Sequence, residues 1–344
     1  MPEKDARKLT YPSIDLFRYF CAIFVIAGHT HPLEDINPVL GYIAVQLMPR
    51  ITVPFFFCIA GYFYIEKLEA GKKPFKTYFT RLLLTYAIWS VPYFLLDFFS
   101  YGYKDIRGFF IDSVYGFLAA GTAYHFWFFP AVIFSGCLTT LLFKSGLKKA
   151  LIPISLICYI MGTIGCAYNK IGIHIPVLSI LYSSSYFKLI RRVLLMGFPF
   201  FTSGYCFSRL RTKEWRFLEK PVLLFVLSLL LWLFEIALVE RAQVQDNIFM
   251  TFGLYPFVIA IINLLLHYPL QPYAQIARHC RVIANFSYYV HPLVITGISA
   301  ASQRFLGIEQ ISSTPLFILT VLVTLAFGFV IAKTKKKNIS FVVR

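Results

Sequence analysis

The sequence predicts an all-α fold, a polytopic transmembrane helix bundle of about ten helices with both termini on the cytoplasmic side. Hydrophobic residues make up 58% of the 344 residues and charged residues only 14%, whereas soluble domains have about 45–50% and about 25%. Apolar runs close to the roughly 20 residues that cross a bilayer core recur along the chain. Basic residues cluster between these runs, as topology-determining charges do.

Ten apolar segments are long enough to be predicted as membrane-spanning helices. They are Ser13–Thr30, Gly41–Ile65, Tyr78–Phe99, Tyr124–Phe143, Ala150–Ala167, Ile190–Ser208, Pro221–Val239, Ile248–His267, Val282–Ala300 and Thr314–Ala332. The stretch Ile106–Ala119 is predicted to form an extra short helix at the membrane interface.

The distribution of Lys and Arg predicts the orientation of the bundle. With the N-terminus inside, the cytoplasmic segments contain most of the 33 basic residues, which is the bias expected of cytoplasmic loops. Segments rich in Lys and Arg then alternate with segments poor in them, and an odd number of crossings would break this alternation. The net charge of +17 is therefore attributed to topology, and nucleic-acid binding is not expected. Residues 1–344 are predicted to be one membrane domain with short cytoplasmic tails, 1–12 and 333–344.

The chain lacks the sequence motifs of several other protein classes. The seven Cys lie mostly in apolar runs without CxxC or Cys/His spacing, so we expect free thiols and no metal site. The polar start MPEKDARK and the charged first apolar run argue against a cleavable signal peptide. No GxSxG, HExxH or phosphate-binding Gly loop is present. Any chemistry is therefore expected to use polar groups within the membrane.

The first predicted helix carries the most unusual residues, since ionisable groups in a membrane are costly and usually functional. It contains Asp15, Arg18 and His29. Arg18 and His29 are eleven residues apart, which places them on one helix face with a rise of about 16 Å. The alternatives are that Arg18 reaches the inner headgroups while pairing with Asp15, and that His29 is an ordinary helix-end residue.

Two other histidines lie among aromatic residues. His125 is part of YHFWFFP, and His291 is part of SYYVHP. Each is a candidate site residue, and the alternative for each is a satisfied polar residue inside a bundle. Trp127 is an interfacial anchor if composition alone is considered.

Three other charged residues have interpretations that need no functional site. Glu235 lies in the seventh predicted helix and marks a face turned to the bundle interior, without an obvious partner. Arg191 and Arg192 begin the sixth predicted helix and are interpreted as flanking charges.

Several of these motifs, in order along the chain, resemble one family. In the first helix, Arg18 and His29 match a family pattern of an Arg, ten further residues and a His, and Asp15 precedes them. PFFFCIAGYF is similar to an FFxxSGF segment, with Ala60 in place of Ser. RRVLLMGFPFFTSG is similar to a helix in which an Arg precedes PFF-xx-G.

The remaining motifs complete the resemblance. YHFWFFP is similar to an H-x-W-F segment through His125 and Trp127, and NFSYYVHP to an S-Y-x-x-H element through Ser287 and His291. Together they resemble the acyltransferase 3 family of multi-pass bacterial membrane acyltransferases, which modify cell-envelope saccharides. The matches extend over almost the whole chain.

The chain departs from the family pattern at one element, and it also resembles one subgroup of the family. The family often has Arg-x-x-Arg opening the third helix; here Arg81 matches the second Arg, Tyr78 replaces the first, and Lys76 is a candidate substitute. The chain also resembles the membrane domains of VanT-type serine racemases, which carry a soluble racemase domain after the last helix. These 344 residues contain no such domain, so the chain is a stand-alone relative or one whose soluble domain has been left off.

The resemblance implies a function in the bacterial cytoplasmic membrane. It implies transfer of an acyl group, usually acetyl, from cytoplasmic acetyl-CoA to a hydroxyl of an envelope or lipid-linked saccharide. The donor phosphates are expected near Arg18, Arg81 and Lys76. His29 is expected to act as general base.

The acceptor is expected to contact a second group of residues, and two rival functions remain open. The acceptor-binding residues implied are His125, Trp127, His291 and Ser287. One rival is serine binding or uptake, with Arg18 holding the carboxylate. The other is a sensor or scaffold that uses the inner loops as a docking surface.

Overall fold

The computed structural model describes residues 11–210, 219–245 and 247–334, and within these ranges the regular elements are all helices. The α-helices are α1 Pro12–Thr30, α2 Pro38–Tyr42, α3 Met48–Glu69, α4 Phe75–Ser100, α5 Ile106–Tyr115, α6 Phe128–Lys144, α7 Leu151–Ile164, α8 Asn169–Gly172, α9 Pro176–Tyr182, α10 Phe187–Ile190, α11 Phe198–Thr202, α12 Gly204–Leu210, α13 Pro221–Ala242, α14 Leu254–His267, α15 Ala274–Leu306 and α16 Ser313–Lys333. Residues 1–10 and 335–344 of the predicted tails lie outside the described residues.

Short helical turns of other types connect several of these helices. π-helical turns join α2 to α3, follow α5 and join α10 to α11, and 3-10 turns precede α5, α7 and α15. The π-helical turns are Ile43–Leu47, Gly116–Ala120 and Arg191–Gly197, and the 3-10 turns are Gly102–Lys104, Lys148–Ala150 and Gln271–Tyr273.

The helices confirm an all-α membrane fold. Each of the ten predicted segments overlaps a described helix, and a helix also occupies Ile106–Tyr115 as predicted. Within the described ranges, five helices are long and apolar enough to cross a membrane, or up to six if α14 and α15 count as one bent crossing. The five are Pro12–Thr30, Pro38–Glu69, Phe75–Ser100, Pro221–Ala242 and Ser313–Lys333. The number of ten crossings and their orientation stay predictions.

Two predicted helix starts are too early. The fourth segment was expected to be helical from Tyr124, but α6 begins at Phe128. Gly121, with φ of 93°, turns the chain before α6, and a Cβ at this glycine would collide with the backbone of Phe126 and Trp127. The eighth segment was expected from Ile248, but α14 begins at Leu254.

The chain divides into two compact units. The first unit comprises Met1–Thr52 and Ile262–Arg344, and the second comprises Val53–Ile261. In the first unit, α1 packs against both α15 and α16, and α15 packs against α16.

Contacts at the two ends of α1 show in which direction α16 runs relative to α1. At its start, the Ser13 hydroxyl donates to the carbonyl of Leu265 near the end of α14, at 2.6 Å. Beyond its end, the Leu33 amide donates to the Thr314 hydroxyl in the first turn of α16, at 2.7 Å. The first helix therefore runs antiparallel to α16, as helices one and ten of the predicted alternation should.

Asp35 reinforces this connection outside the membrane-spanning helices. Its carboxylate accepts from the Thr314 hydroxyl at 2.5 Å and from the Thr314 amide at 3.1 Å. These hydrogen bonds hold the pKa of Asp35 below its ordinary value, the side-chain hydrogen bond having the largest effect. The loop after α1 thus caps the first turn of α16.

The second unit is built around the π-helical turn Arg191–Gly197 and α11, which pack against α6 and α7. Two glycines let the backbones of α3 and the α11–α12 region touch. A Cβ at Gly61 would overlap the carbonyl of Phe201, and one at Gly204 would overlap the backbone of Tyr62. Small residues at such crossings are typical of helix packing in membranes, where close backbone approach replaces the hydrophobic effect.

Glu235 has partners that the sequence did not reveal. It lies on α13, is 8% exposed, and its carboxylate accepts hydrogen bonds from the amides of Phe252 and Gly253 at 2.7 and 2.5 Å and from the Tyr168 hydroxyl at 2.9 Å. The two amides immediately precede α14, where unpaired helix N–H groups favour a negative charge. Glu235 is therefore the cap of α14, which explains the late start of that helix.

Replacing Glu235 by Ala should destabilise the protein by about 1–3 kcal/mol, because the amides of Phe252 and Gly253 would lose their acceptor. Thermal unfolding of the detergent-solubilised protein measures the effect. Glu309→Ala, at an exposed position, is the matched control and should leave the midpoint unchanged. Equal midpoints for the two variants would contradict the capping role.

Candidate active site

Asp15 lies in the first turn of α1 and joins two arginines. Its carboxylate contacts Nη1 of Arg18 at 3.2 Å, one helical turn along α1, and Nη1 of Arg281 on α15 at 3.1 Å. The Asp15 and Arg18 side chains are 13% and 19% exposed, and that of Arg281 is 34% exposed. One carboxylate thus holds two guanidiniums, one from each helix.

A second contact joins the same two helices further along. The rings of His29 on α1 and His291 on α15 are stacked, with centroids 5.3 Å apart and planes inclined by 22°. Both Asp15 and Arg281 precede these histidines in their helices, so α1 and α15 run parallel. His29 is exposed, whereas His291 is fully buried.

The backbone around His291 determines which of its ring nitrogens carries the proton. Nδ1 lies 2.9 Å from the carbonyl of Tyr288 and 3.2 Å from that of Ser287. Carbonyls only accept, so Nδ1 is the donor and Nε2 of the neutral ring carries the lone pair. Within a helix the Tyr288 carbonyl would pair with the amide of residue 292, but Pro292 has no N–H. The proline therefore leaves this carbonyl available to the imidazole.

Ser287 lies one turn before His291 on the same face of α15. Its side chain is fully buried, and the Ser287 hydroxyl has no hydrogen-bond partner among the residues that the structure describes. The contact of Ser287 with His291 is made by the backbone carbonyl. A role of the hydroxyl in substrate binding stays a prediction.

The second unit contains the other two aromatic-motif residues, in the turn that precedes α6. His125 is 4% exposed, and its ring packs against Tyr93 with centroids 5.3 Å apart and against Phe126 at 4.0 Å. The turn itself is fastened to α4, because the Thr122 amide donates to the Tyr86 hydroxyl at 3.1 Å. This attachment holds His125 inside an aromatic wall.

Trp127 has a cationic partner. The guanidinium carbon of Arg192 lies 5.0 Å from its ring centroid, within the range of a cation–π interaction. The neighbouring Arg191 lies over the ring of Phe249 at 4.7 Å. Trp127 and Arg192 are thus parts of one arrangement, although the sequence suggested an anchor and a flanking charge.

Lys76 and Arg81 both belong to α4 in the second unit, and both side chains are exposed. Their predicted place beside the donor stays a prediction. The structure does bring together Asp15, Arg18, His29 and His291 on the interface of α1 and α15.

Arg281 is the site residue that sequence reasoning missed. Its partner Asp15 lies 266 positions away. No local pattern could have linked them.

Comparison with known proteins identifies a family and several relatives. A family model described as an acyltransferase domain matches residues 11–333. Two amino-acid racemases from Enterococcus faecalis are similar: one is 33% identical over 49% of this chain and 25% of its own length, and the other is 27% identical over 75% of this chain and 36% of its own length. A serine/alanine racemase from Enterococcus gallinarum is 25% identical over 94% of this chain and 46% of its own length.

The chain spans less than half the length of these curated relatives. No solved structure matches it. The family model covers nearly all of the 344 residues, including both helices of the histidine pair. The chain therefore belongs to the acyltransferase 3 family of membrane acyltransferases.

Proposed function

We propose that this protein transfers an acetyl group from cytoplasmic acetyl-CoA to a hydroxyl of a cell-envelope or lipid-linked saccharide. It would do so as a single domain, residues 1–344, in the cytoplasmic membrane of a bacterium. Family membership supports acyl transfer in general. The observation that carries the mechanism is the α1–α15 interface, which has an ion cluster at one end and two stacked imidazoles at the other.

The ion cluster is suited to the phosphates of the donor. Arg18 and Arg281 carry guanidinium groups, the type of group that binds phosphate oxygens in pairs. Asp15 contacts both groups and holds them together. Lys76 and Arg81 would add donor contacts from α4. From Arg18 to His29 the helix rises about 16 Å, a distance suited to the thin arm that carries the thioester.

The imidazole end is suited to the chemical step. As the acceptor hydroxyl attacks the thioester carbonyl carbon, the proton of that hydroxyl moves to His29, which acts as general base. The carbon–sulfur bond then breaks, and His29 returns the proton to the departing thiolate. The stacked, neutral ring of His291 supports the positive charge that His29 carries between these two transfers.

The acceptor is assigned to residues with polar edges and aromatic faces. Trp127 and His125 offer ring surfaces to a sugar, and the buried Ser287 hydroxyl and His291 offer hydrogen-bonding groups. This assignment continues the resemblance of their motifs to the family.

A second function is favoured by one observation, the racemase names of the curated relatives. The chain would then bind or take up serine, with Arg18 holding the carboxylate, and would not transfer acyl groups. Uptake of labelled serine into proteoliposomes without CoA, together with no hydrolysis or transfer of labelled acetyl-CoA, would select this function.

His29→Ala should lower the transfer of labelled acetyl from acetyl-CoA to envelope saccharides by at least about 100-fold, because a general base contributes about 10²–10⁴ to the rate. The variant should still be recovered from the membrane as a folded protein. His174→Ala, at an exposed position between α8 and α9, is the control and should retain activity. Full turnover by the His29 variant would refute the assignment.

Pro292→Ala should reduce transfer by roughly 2–10-fold, because the new N–H competes for the Tyr288 carbonyl and the lost hydrogen bond to His291 is worth about 0.5–1.5 kcal/mol. The thermal midpoint should stay equal or rise, since proline disfavours helix interiors. A variant that loses activity and stability together would indicate a merely structural role. His291→Asn keeps a donor near the Nδ1 position and should be less active than Pro292→Ala.

A further inference from the structure

Arg191 and Arg192 place two adjacent positive charges in a segment predicted to cross the membrane. They are the first residues of the π-helical turn Arg191–Gly197, and both side chains are half-buried. Charged groups in membrane helices are expensive and normally have an opposite charge beside them. Irregular π-helical turns of this kind are frequent at functional sites.

The partners of these two arginines are aromatic and sulfur groups. Arg192 lies over Trp127 at 5.0 Å and Arg191 over Phe249 at 4.7 Å, and Nη1 of Arg191 lies 3.7 Å from Sγ of Cys166. In the part of the chain that the structure describes, neither guanidinium is paired with a carboxylate. The rings hold the guanidinium groups in place but do not neutralise their charge.

We infer that Arg191 and Arg192 form a binding site for a phosphate group of the substrate. A phosphate that joins a lipid to a saccharide carries one negative charge, which two guanidiniums more than offset, and their N–H edges match its oxygens. In the predicted orientation, both residues lie at the outward-facing end of the sixth predicted helix. The phosphate would therefore belong to a lipid that carries the acceptor saccharide, and this choice of source rests on the proposed function.

Trp127 connects this site with the predicted acceptor residues. It lies in the same turn as His125 and forms the ring surface under Arg192. A lipid phosphate bound by the arginine pair would bring the attached sugar towards this turn. The site narrows the acceptor class to saccharides linked to a lipid through phosphate.

Ligand-induced changes in the thermal midpoint of the full chain test this inference. The protein is held in maltoside detergent without acyl-CoA, and the probes are farnesyl phosphate, farnesol, inorganic phosphate and CoA. Farnesyl phosphate should raise the midpoint, and farnesol should not. In Arg191→Gln and Arg192→Gln the apparent Kd for farnesyl phosphate should rise at least about tenfold, the change expected on losing one charge-assisted hydrogen bond. Arg241→Gln, at an exposed helix end, should bind like the unchanged protein.

Each outcome decides the inference. Unchanged binding of farnesyl phosphate by the Gln variants, or no binding by the natural chain, overturns it. Stronger stabilisation by CoA, lost in the same variants, overturns the acceptor assignment. If a Gln variant does not fold, Arg192→Lys keeps one charge at that position and should bind with intermediate affinity. Because no donor is present, failure here leaves acyl transfer, measured separately with the His29 variant, unaffected.

Discussion

The carboxylate of Asp15 is shared between a guanidinium of its own helix and one from α15, and the geometry of the candidate site depends on this sharing. A carboxylate left alone in a low-dielectric environment is strongly unfavourable. Rotating or sliding α1 against α15 would separate Asp15 from Arg281 and incur that cost. Because helices are stiff, fixing the two helices at this point also fixes the ring of His29 against that of His291 further along.

The second unit also contains arginines away from bulk water, and their partners are of a different kind. Among the described residues, its two half-buried arginines, Arg191 and Arg192, are held by aromatic faces instead of carboxylates. A ring contacts the face of a guanidinium and leaves its N–H edges for a ligand. The Arg191–Arg192 pair therefore keeps two positive charges that no carboxylate among the described residues contacts.

Sequence patterns predicted the parts of this molecule that depend on local order. The apolar runs identified the helices, and the three-residue spacing of Asp15 and Arg18 identified their ion pair. Contacts between distant segments had no such pattern, which is why Arg281 and the cap formed by Glu235 were not recognised. The contribution of Pro292 can be predicted from the sequence, because a proline in a helix always leaves the carbonyl four residues earlier without its usual donor. The turn before α6 is wrongly predicted as helix because its aromatic residues are as apolar as those of a membrane-spanning helix.

The length of α1 has a consequence for how the proposed saccharide acceptor would reach His29. Its 19 residues rise about 28 Å, close to the roughly 30 Å thickness of bilayer hydrocarbon. His29 is the penultimate residue of this helix, less than one turn from its end. In the predicted orientation, a hydroxyl on the extracellular side need descend only about 5 Å to meet the imidazole. Under the proposed function, the acceptor would keep its hydration shell, which would be costly to strip from many hydroxyls, and the small acyl group would cross the membrane instead.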